Sequence, residues 1–292
     1  MPGGDRDRAI GALRTAPAKH GRVRSVAGLA HDRGAPVSAP VEVAAITQWC
    51  RQLHLPTVAG QCGRQAEHAA KAHQSHLAYL EALLEAEVEE RERNVVARRI
   101  KEARLPKVKT LEDFDFTMAP QVSASVVRTL GTGDWIGRAE PVLFLGDAGT
   151  GKTHLAIALA VVACRQRKRV RFTTAAELVN ELMEARHQNE LSRVLARWMR
   201  YEVLVVDEMA YVTMPETAGE VLFQVIAGRA ERAAVIVTTN LPFSEWTTMF
   251  PNARLCKAMI DRLTDQAHII ETGTESYRFR RTLARQRRAK GA

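Results

Sequence analysis

The chain reads as an α/β protein: a parallel sheet flanked by helices, preceded by a small all-helical module. Three observations predict this. From Val142 onward, short apolar runs alternate with helical patterns, as strands do when the helices joining them cover both faces of a sheet. The first of these runs leads into a glycine-rich loop and then an Ala/Leu-rich stretch, "LFLGDAGTGKTHLAIALA", Leu143 to Ala160. Upstream of it, from Val43 to Pro106, apolar residues recur at helical rather than alternating spacing.

The elements follow in order. Residues 1–42 form a basic N-terminal extension, rich in Gly, Ala, Pro and Arg without a sustained period, a composition expected to be disordered. Residues 43–108 are the helical module. Leu53, Leu55 and Pro56 mark a break between two helices. The segment from His76 to Arg104 is the strongest helix of the chain. In it Leu77, Leu80, Leu84, Val88, Val95 and Ile100 recur near helical spacing among dense Glu and Arg, and Pro106 ends it. Residues 109–277 are the α/β domain. It opens with the linker "KTLEDFDF", Lys109 to Phe116, which holds three acids and two Phe. Strands are expected at 142–145, 169–173, 203–206, 234–239 and 267–271. The gap between Thr174 and Val203 has room for two helices, which "AAELVNELMEARHQ" and "ELSRVLARWMRY" fit. Residues 278–292 are expected to form a basic C-terminal helix or tail.

Composition narrows the class. A chain of 292 residues can bury a real core. Its formal net charge of +9 sits at the ends: residues 1–40 carry +4 and residues 278–292 carry +7, leaving −2 between them. Such ends suit phosphate backbones, and equally suit a solvated tail. Cys50, Cys62, Cys164 and Cys256 are far apart with no C-x-x-C pair, as expected of reduced thiols. The longest apolar run, Leu155 to Cys164, is too short to span a bilayer, and the opening MPGGDRDR has no apolar signal core. A cytoplasmic protein with no membrane partner is expected. His68, His73 and His76 lie close together, but only the last two are helical neighbours and nothing completes a metal shell.

Chemistry is expected at the glycine-rich loop. G-x-x-x-x-G-K-T comprises Gly146, Asp147, Ala148, Gly149, Thr150, Gly151, Lys152 and Thr153. Glycines at three of these positions let successive N–H groups point inward as a nest for phosphate oxygens. The helix that follows adds its positive end. Lys152 is expected to reach the β- and γ-phosphates, and the Thr153 hydroxyl to ligate magnesium. A second motif, "VLVVDE", Val203 to Glu208, is an apolar strand ending in two acids. Asp207 is placed to hold magnesium, and Glu208 to polarise a water for attack on the γ-phosphate. A third, "AVIVTTN", ends in Asn240, which could bind the attacking water or the γ-phosphate.

Together Lys152/Thr153, Asp207/Glu208 and Asn240 resemble the Walker A, Walker B and sensor 1 elements of an AAA+ ATPase. Two longer stretches narrow the resemblance. "MIDRLTDQAHIIETGTESYRFRR", Met259 to Arg281, resembles the C-terminal part of the IstB/DnaC branch. "LPTVAG" and "HLAYLEALLEAEVEERERNVVARRIKEARLPKVKTLEDFDF" resemble the N-terminal part of IstB-like proteins, ATP-binding helpers of insertion-sequence transposases. The similarity runs from about Val43 to Arg288. It implies that Arg262, in "IDRL", is an arginine finger acting on the ATP of a neighbouring subunit. It implies that Arg278, in "SYR", is a sensor 2 residue contacting the γ-phosphate within its own subunit. Ala148 stands where the family often has Pro, which costs loop rigidity but no ligand.

The resemblance further implies ATP and magnesium as cofactors and a homo-oligomer with ATP at its subunit interfaces. The implied partners are duplex DNA and the transposase of the same element, assisted in target selection. The two helices after Thr174 match the extra insertion of initiator-type AAA+ proteins, with Arg186, Arg193, Arg197 and Arg200 as candidates to approach DNA. The cluster Arg165, Arg167, Lys168 and Arg169 is a second candidate. A DnaC-type helicase loader, a DNA-coating scaffold with little turnover and a small-molecule P-loop kinase are the rival readings.

Overall fold

The computed structural model describes residues 39–209 and 215–277. Residues 1–38 and the basic tail, Arg278 included, lie outside the described residues.

Helix α1, Ala39–Gln52, presents Val43, Ile46 and Trp49 as exposed side chains.

Helices α2, Pro56–Lys71, and α3, His76–Glu102, form a hairpin. Pro56 starts α2 where its fixed φ suits a first turn and its missing N–H is no loss. The N-cap residue, Leu55, offers no side-chain oxygen. Glu87, from the middle of α3 and only 3% exposed, supplies it instead. Its carboxylate accepts the N–H groups of Thr57 at 2.8 Å and Val58 at 3.2 Å, and Arg91 Nε at 2.8 Å. Burial works to raise the pKa of Glu87, but these donors together outweigh it and hold the carboxyl below its ordinary value.

The helix expected from His76 to Arg104 is α3, and this pairing decides which of its faces is covered. Leu83 and Glu87 face α2, while Leu77, Leu80, Leu84 and Val88 point outward with exposures of 79%, 49%, 47% and 56%. Further along, Val95 and Ile100 are half-buried. Ile100 packs against the core of the α/β domain, and the Ala103 carbonyl accepts Phe172 N–H at 2.9 Å. The apolar stripe therefore divides. Its C-terminal end docks on the sheet, and its N-terminal end is left uncovered because the hairpin uses the adjacent face.

After helices α4, Ala124–Leu130, and α5, Asp134–Gly137, comes the sheet. Its strands are β1 Val142–Leu145, β2 Val170–Thr174, β3 Val203–Asp207, β4 Ala234–Thr239 and β5 His268–Glu271. All pair in parallel, in the order β2-β3-β4-β1-β5. Each lies within one residue of its expected position. The connecting helices are α6 Lys152–Arg165, α7 Ala175–His187, α8 Leu191–Trp198, α9 Glu216–Arg229 and α10 Ala253–Thr264. The two helices expected before β3 are α7 and α8. Thr174 and Glu177 close a capping box that starts α7 directly from the end of β2.

Both faces of the sheet are covered, so alternate residues enter different cores. Leu204 and Val206 pack among α7, α8, α9 and α10, whereas Val203 and Val205 pack against α6. Ten residues of α6 are buried. Each large one contributes about 1.5–3 kcal/mol by leaving water. The pairing aligns Leu145 with Thr239 and Glu271, and Asp207 with Thr174. The loop after β1 and the acids of β3 thus meet along the carboxyl edge of the sheet, where open parallel sheets bind ligands.

Candidate functional site

The loop from Gly146 to Gly151 leaves β1 and enters α6 through residues that only glycine suits. Gly149 has φ +84° and Gly151 φ +107°. Space forbids a side chain as well. A Cβ on Gly149 would lie 2.4 Å from Ser276 Oγ, and one on Gly151 would lie 2.7 Å from Phe114 Cε2. The segment after β5 braces the loop. Asp147 N–H donates to the Gly273 carbonyl at 3.0 Å, Tyr277 N–H to the Gly149 carbonyl at 3.0 Å, and the Thr150 and Thr272 hydroxyls are 2.6 Å apart. The N–H groups of Ala148, Gly149, Thr150 and Gly151 have no acceptor among the described residues. This is the arrangement expected of an anion-binding nest. Lys152 is buried and donates to the Gly146 and Asp147 carbonyls at 2.6 and 2.8 Å.

The acids come from β3. Asp207 is 5% exposed at the strand end. Its Oδ1 accepts the Thr153 hydroxyl at 3.0 Å and the Thr238 hydroxyl at 2.6 Å, and its Oδ2 lies 3.2 Å from Thr153. The two residues assigned to magnesium are therefore in contact, although 54 positions apart in sequence. Glu208 turns out of the strand with φ +58°, a conformation that costs a non-glycine residue about 1–3 kcal/mol. Its carboxylate is exposed and has no partner among the described residues.

Asn240 follows β4, which borders β1, and the preceding Thr239 carbonyl accepts Gly146 N–H at 3.3 Å. Asn240 thus stands beside the loop. Arg262 is exposed on α10, with its guanidinium 5.1 Å from the ring centroid of Phe223 on α9. The basic candidates are largely neutralised. Arg186 pairs with Glu220 at 3.3 Å, Arg193 with Glu190 at 2.7 Å, and Arg197 with Glu181. Arg165 pairs with Glu112 at 3.8 Å, Arg167 with Glu92, and Lys168 and Arg169 share Glu202. Of these eight, Arg200 is the one without an ion pair among the described residues.

One wall of the site went unread in the sequence. A cavity of about 680 Å³ adjoins the loop and is lined on the other side by Lys109, Asp113 and Phe114 of the linker and by Met118 just after it. That volume suits a nucleotide-sized ligand. Phe114 meets Phe116 edge-on at 4.9 Å and His154 at 5.3 Å. His154 Nε2 is 3.0 Å from the Thr110 carbonyl, which can only accept, so that nitrogen carries the proton. Burial holds His154 below the usual imidazole range. Hydrogen bonds from the Thr110 side chain and N–H hold Asp113 below the carboxylate range and close the turn. The two Phe of "KTLEDFDF" were the available signal.

With a nest after β1, an acid pair ending β3, and β1 lying between β4 and β5, the domain is of the P-loop nucleotide-binding class, in its AAA+ form. Comparison with known proteins narrows this further. The chain belongs to the family of IstB-like ATP binding proteins, whose family model matches residues 48–285. It is 39% identical over 235 residues to an insertion sequence IS5376 ATP-binding protein of Geobacillus stearothermophilus, covering 80% of this chain and 94% of that one. It is 38% identical over 214 residues to the insertion sequence IS21 ATP-binding protein of Pseudomonas aeruginosa, covering 73% and 81%. Among solved structures, the DnaC helicase loader matches with a TM-score of 0.46 and 18% identity, over 51% of this chain and 86% of that one. AMPPCP-bound DnaA from Aquifex aeolicus matches with a TM-score of 0.49 and 18% identity, over 58% and 51%.

Proposed function

We propose that this protein is an ATPase that assembles as a homo-oligomer on duplex DNA and assists the transposase of its insertion sequence in choosing a target. The observation that carries the ATPase reading is the contact of Thr153 with Asp207 at 3.0 Å, directly behind a loop whose N–H groups have no acceptor among the described residues and beside the exposed Glu208. The family's association with insertion sequences supports the partner.

In this reading ATP lies with its phosphates on the nest and its base in the cavity against Phe114. The loop N–H groups of residues 148–151 and the positive end of α6 bind the phosphate oxygens. Lys152 exchanges its two carbonyl acceptors for the β- and γ-phosphates. Thr153 and Asp207 would hold magnesium, which supplies positive charge against the oxygens that gain negative charge during transfer. Glu208 orients the attacking water and accepts its proton, and Asn240 steadies that water or the γ-phosphate. The products are ADP and inorganic phosphate. Arg262, exposed on α10, acts on a neighbour's ATP. Arg278 acts within its own subunit. Turnover then requires assembly.

The test is ATP hydrolysis at several protein concentrations, with and without duplex DNA, beside Glu208→Gln and Arg262→Ala. Turnover that rises with DNA and concentration and is lost in both variants is expected. A DNA-independent rate, linear in protein and indifferent to Arg262→Ala, would sink the assembly and return the kinase reading. A DNA-stimulated rate with no response to the transposase, but a response to a replicative helicase, would favour the loader.

A further inference from the structure

We infer that Thr238 is the positioning residue of this ATPase site, the group that sets both acids of β3. It sits two residues before Asn240, 1% exposed, on the strand paired with β3. Three bonds converge on it. Its hydroxyl donates to Asp207 Oδ1 at 2.6 Å and accepts Glu208 N–H at 2.9 Å. Its carbonyl accepts Met209 N–H at 2.9 Å. One residue of β4 therefore grips three consecutive residues as the chain leaves β3.

The direction of each bond gives it a consequence. A carboxylate can only accept and an N–H can only donate, so the threonine hydroxyl must donate to one and accept from the other. Its proton is committed to Asp207. That commits Oδ1 and fixes the rotation of the carboxylate, leaving Oδ2, among the described residues, with the longer contact to Thr153. Its lone pair is committed to Glu208. That bond, with the one to Met209, holds the left-handed turn at φ +58° which aims the Glu208 carboxylate away from the strand. A metal ligand and a water-orienting base are thus placed by a single oxygen. Val237, its neighbour on the strand, is an ordinary buried apolar residue, so strand burial alone does not call for a hydroxyl at position 238.

The inference deepens the ATPase reading and rests on it. Its test uses the full chain, ATP and a fluorescent ATP analogue, and the variants Thr238→Val and Thr238→Ser. Valine keeps the shape and removes both hydroxyl bonds; serine keeps both. Thr238→Val is expected to lower kcat about 10- to 100-fold, the usual consequence of a small misplacement of reacting groups, with KM little changed. It is expected to raise the magnesium concentration needed for half-maximal binding of the analogue, while binding without magnesium, which counts folded sites, stays as in the parent. Thr238→Ser should keep most of the parent rate. A valine variant with the parent's kcat and magnesium requirement would overturn the inference. So would a serine variant as impaired as valine, or a valine variant whose magnesium-free binding falls in step with the rest. If the parent itself does not hydrolyse ATP, the ATPase reading fails, and the magnesium dependence of analogue binding still decides the role of Thr238.

Discussion

The carboxyl edge of the sheet and the α2–α3 hairpin both put a polar group where an apolar one is the rule, and they do so for different reasons. At the sheet edge Asp207 is buried between Thr153 and Thr238, which reach it from α6 and β4. Its partners are side chains whose removal would leave the fold nearly intact and the chemistry changed. In the hairpin Glu87 is buried against the first turn of α2, and its partners include two backbone N–H groups that no other described residue satisfies. Its removal would leave the chemistry intact and the hairpin loosened. On the proposed reading, the buried carboxylate bonded to side chains at a strand end serves a ligand. One bonded to a helix start serves the fold.

The largest expected effect sharpens the first half of that contrast. Lys152→Ala and Glu208→Gln should each lower ATP turnover at least about 100-fold, the scale on which removing one transition-state partner is felt. Neither should move the thermal unfolding midpoint appreciably, since Glu208 is exposed and the Lys152 ammonium donates to the Gly146 and Asp147 carbonyls of the loop rather than to the sheet. Parallel losses of turnover and of stability would erase the distinction.

The second effect belongs to the hairpin. Glu87→Ala leaves the N–H groups of Thr57 and Val58 without their acceptor, at about 1–3 kcal/mol. Amide exchange should rise first in α2, while turnover per folded molecule stays near the parent's. If turnover falls more than stability, the hairpin is coupled to the site in a way the contrast denies.

Acid gives a third. The pKa of Glu87 is lowered on folding from an ordinary value of 4.5. Its contribution is therefore present above that value and is lost as pH falls through the lower, folded one. Exchange protection at Thr57 and Val58 should fall off below about pH 4.5, and a Glu87→Gln variant should lack that step. Protection that weakens instead as pH rises from 5 to 7 would contradict the sign.

How much of this was legible in the sequence follows the same division. The loop, the acids and all five strands could be read, because each is a local pattern: a spacing of glycines, an apolar run, a polar residue at its end. Thr238 and Phe114 were quoted within their motifs and passed over. Their roles depend on a strand pairing and on a linker folding back across 37 residues to meet Gly151, and neither distance has a local signature. Which face of α3 is covered was not legible for the same reason. Periodicity showed that Leu77, Leu80, Leu84 and Val88 share a face. It could not show that α2 would take the neighbouring one, because the deciding residue, Glu87, is a charge that any hydropathy pattern assigns to solvent.

That stripe supplies the smallest expected effect and the most direct attempt to break the comparison. Leu80 and Leu84 are about half exposed, so the double variant Leu80→Ser, Leu84→Ser removes little buried area. Its unfolding free energy should stay within about 0.5 kcal/mol per site of the parent's, as for surface positions generally. Four uncovered apolar side chains along one helix are nevertheless a patch that water disfavours. If turnover requires assembly, the variant should also show whether this face takes part. A rate that no longer climbs with protein concentration, in a protein of unchanged stability, would make the hairpin's outer face a contact between chains. A fold that collapses would mean that the stripe is covered within the chain after all, and that the hairpin obeys the hydrophobic rule it was taken to break.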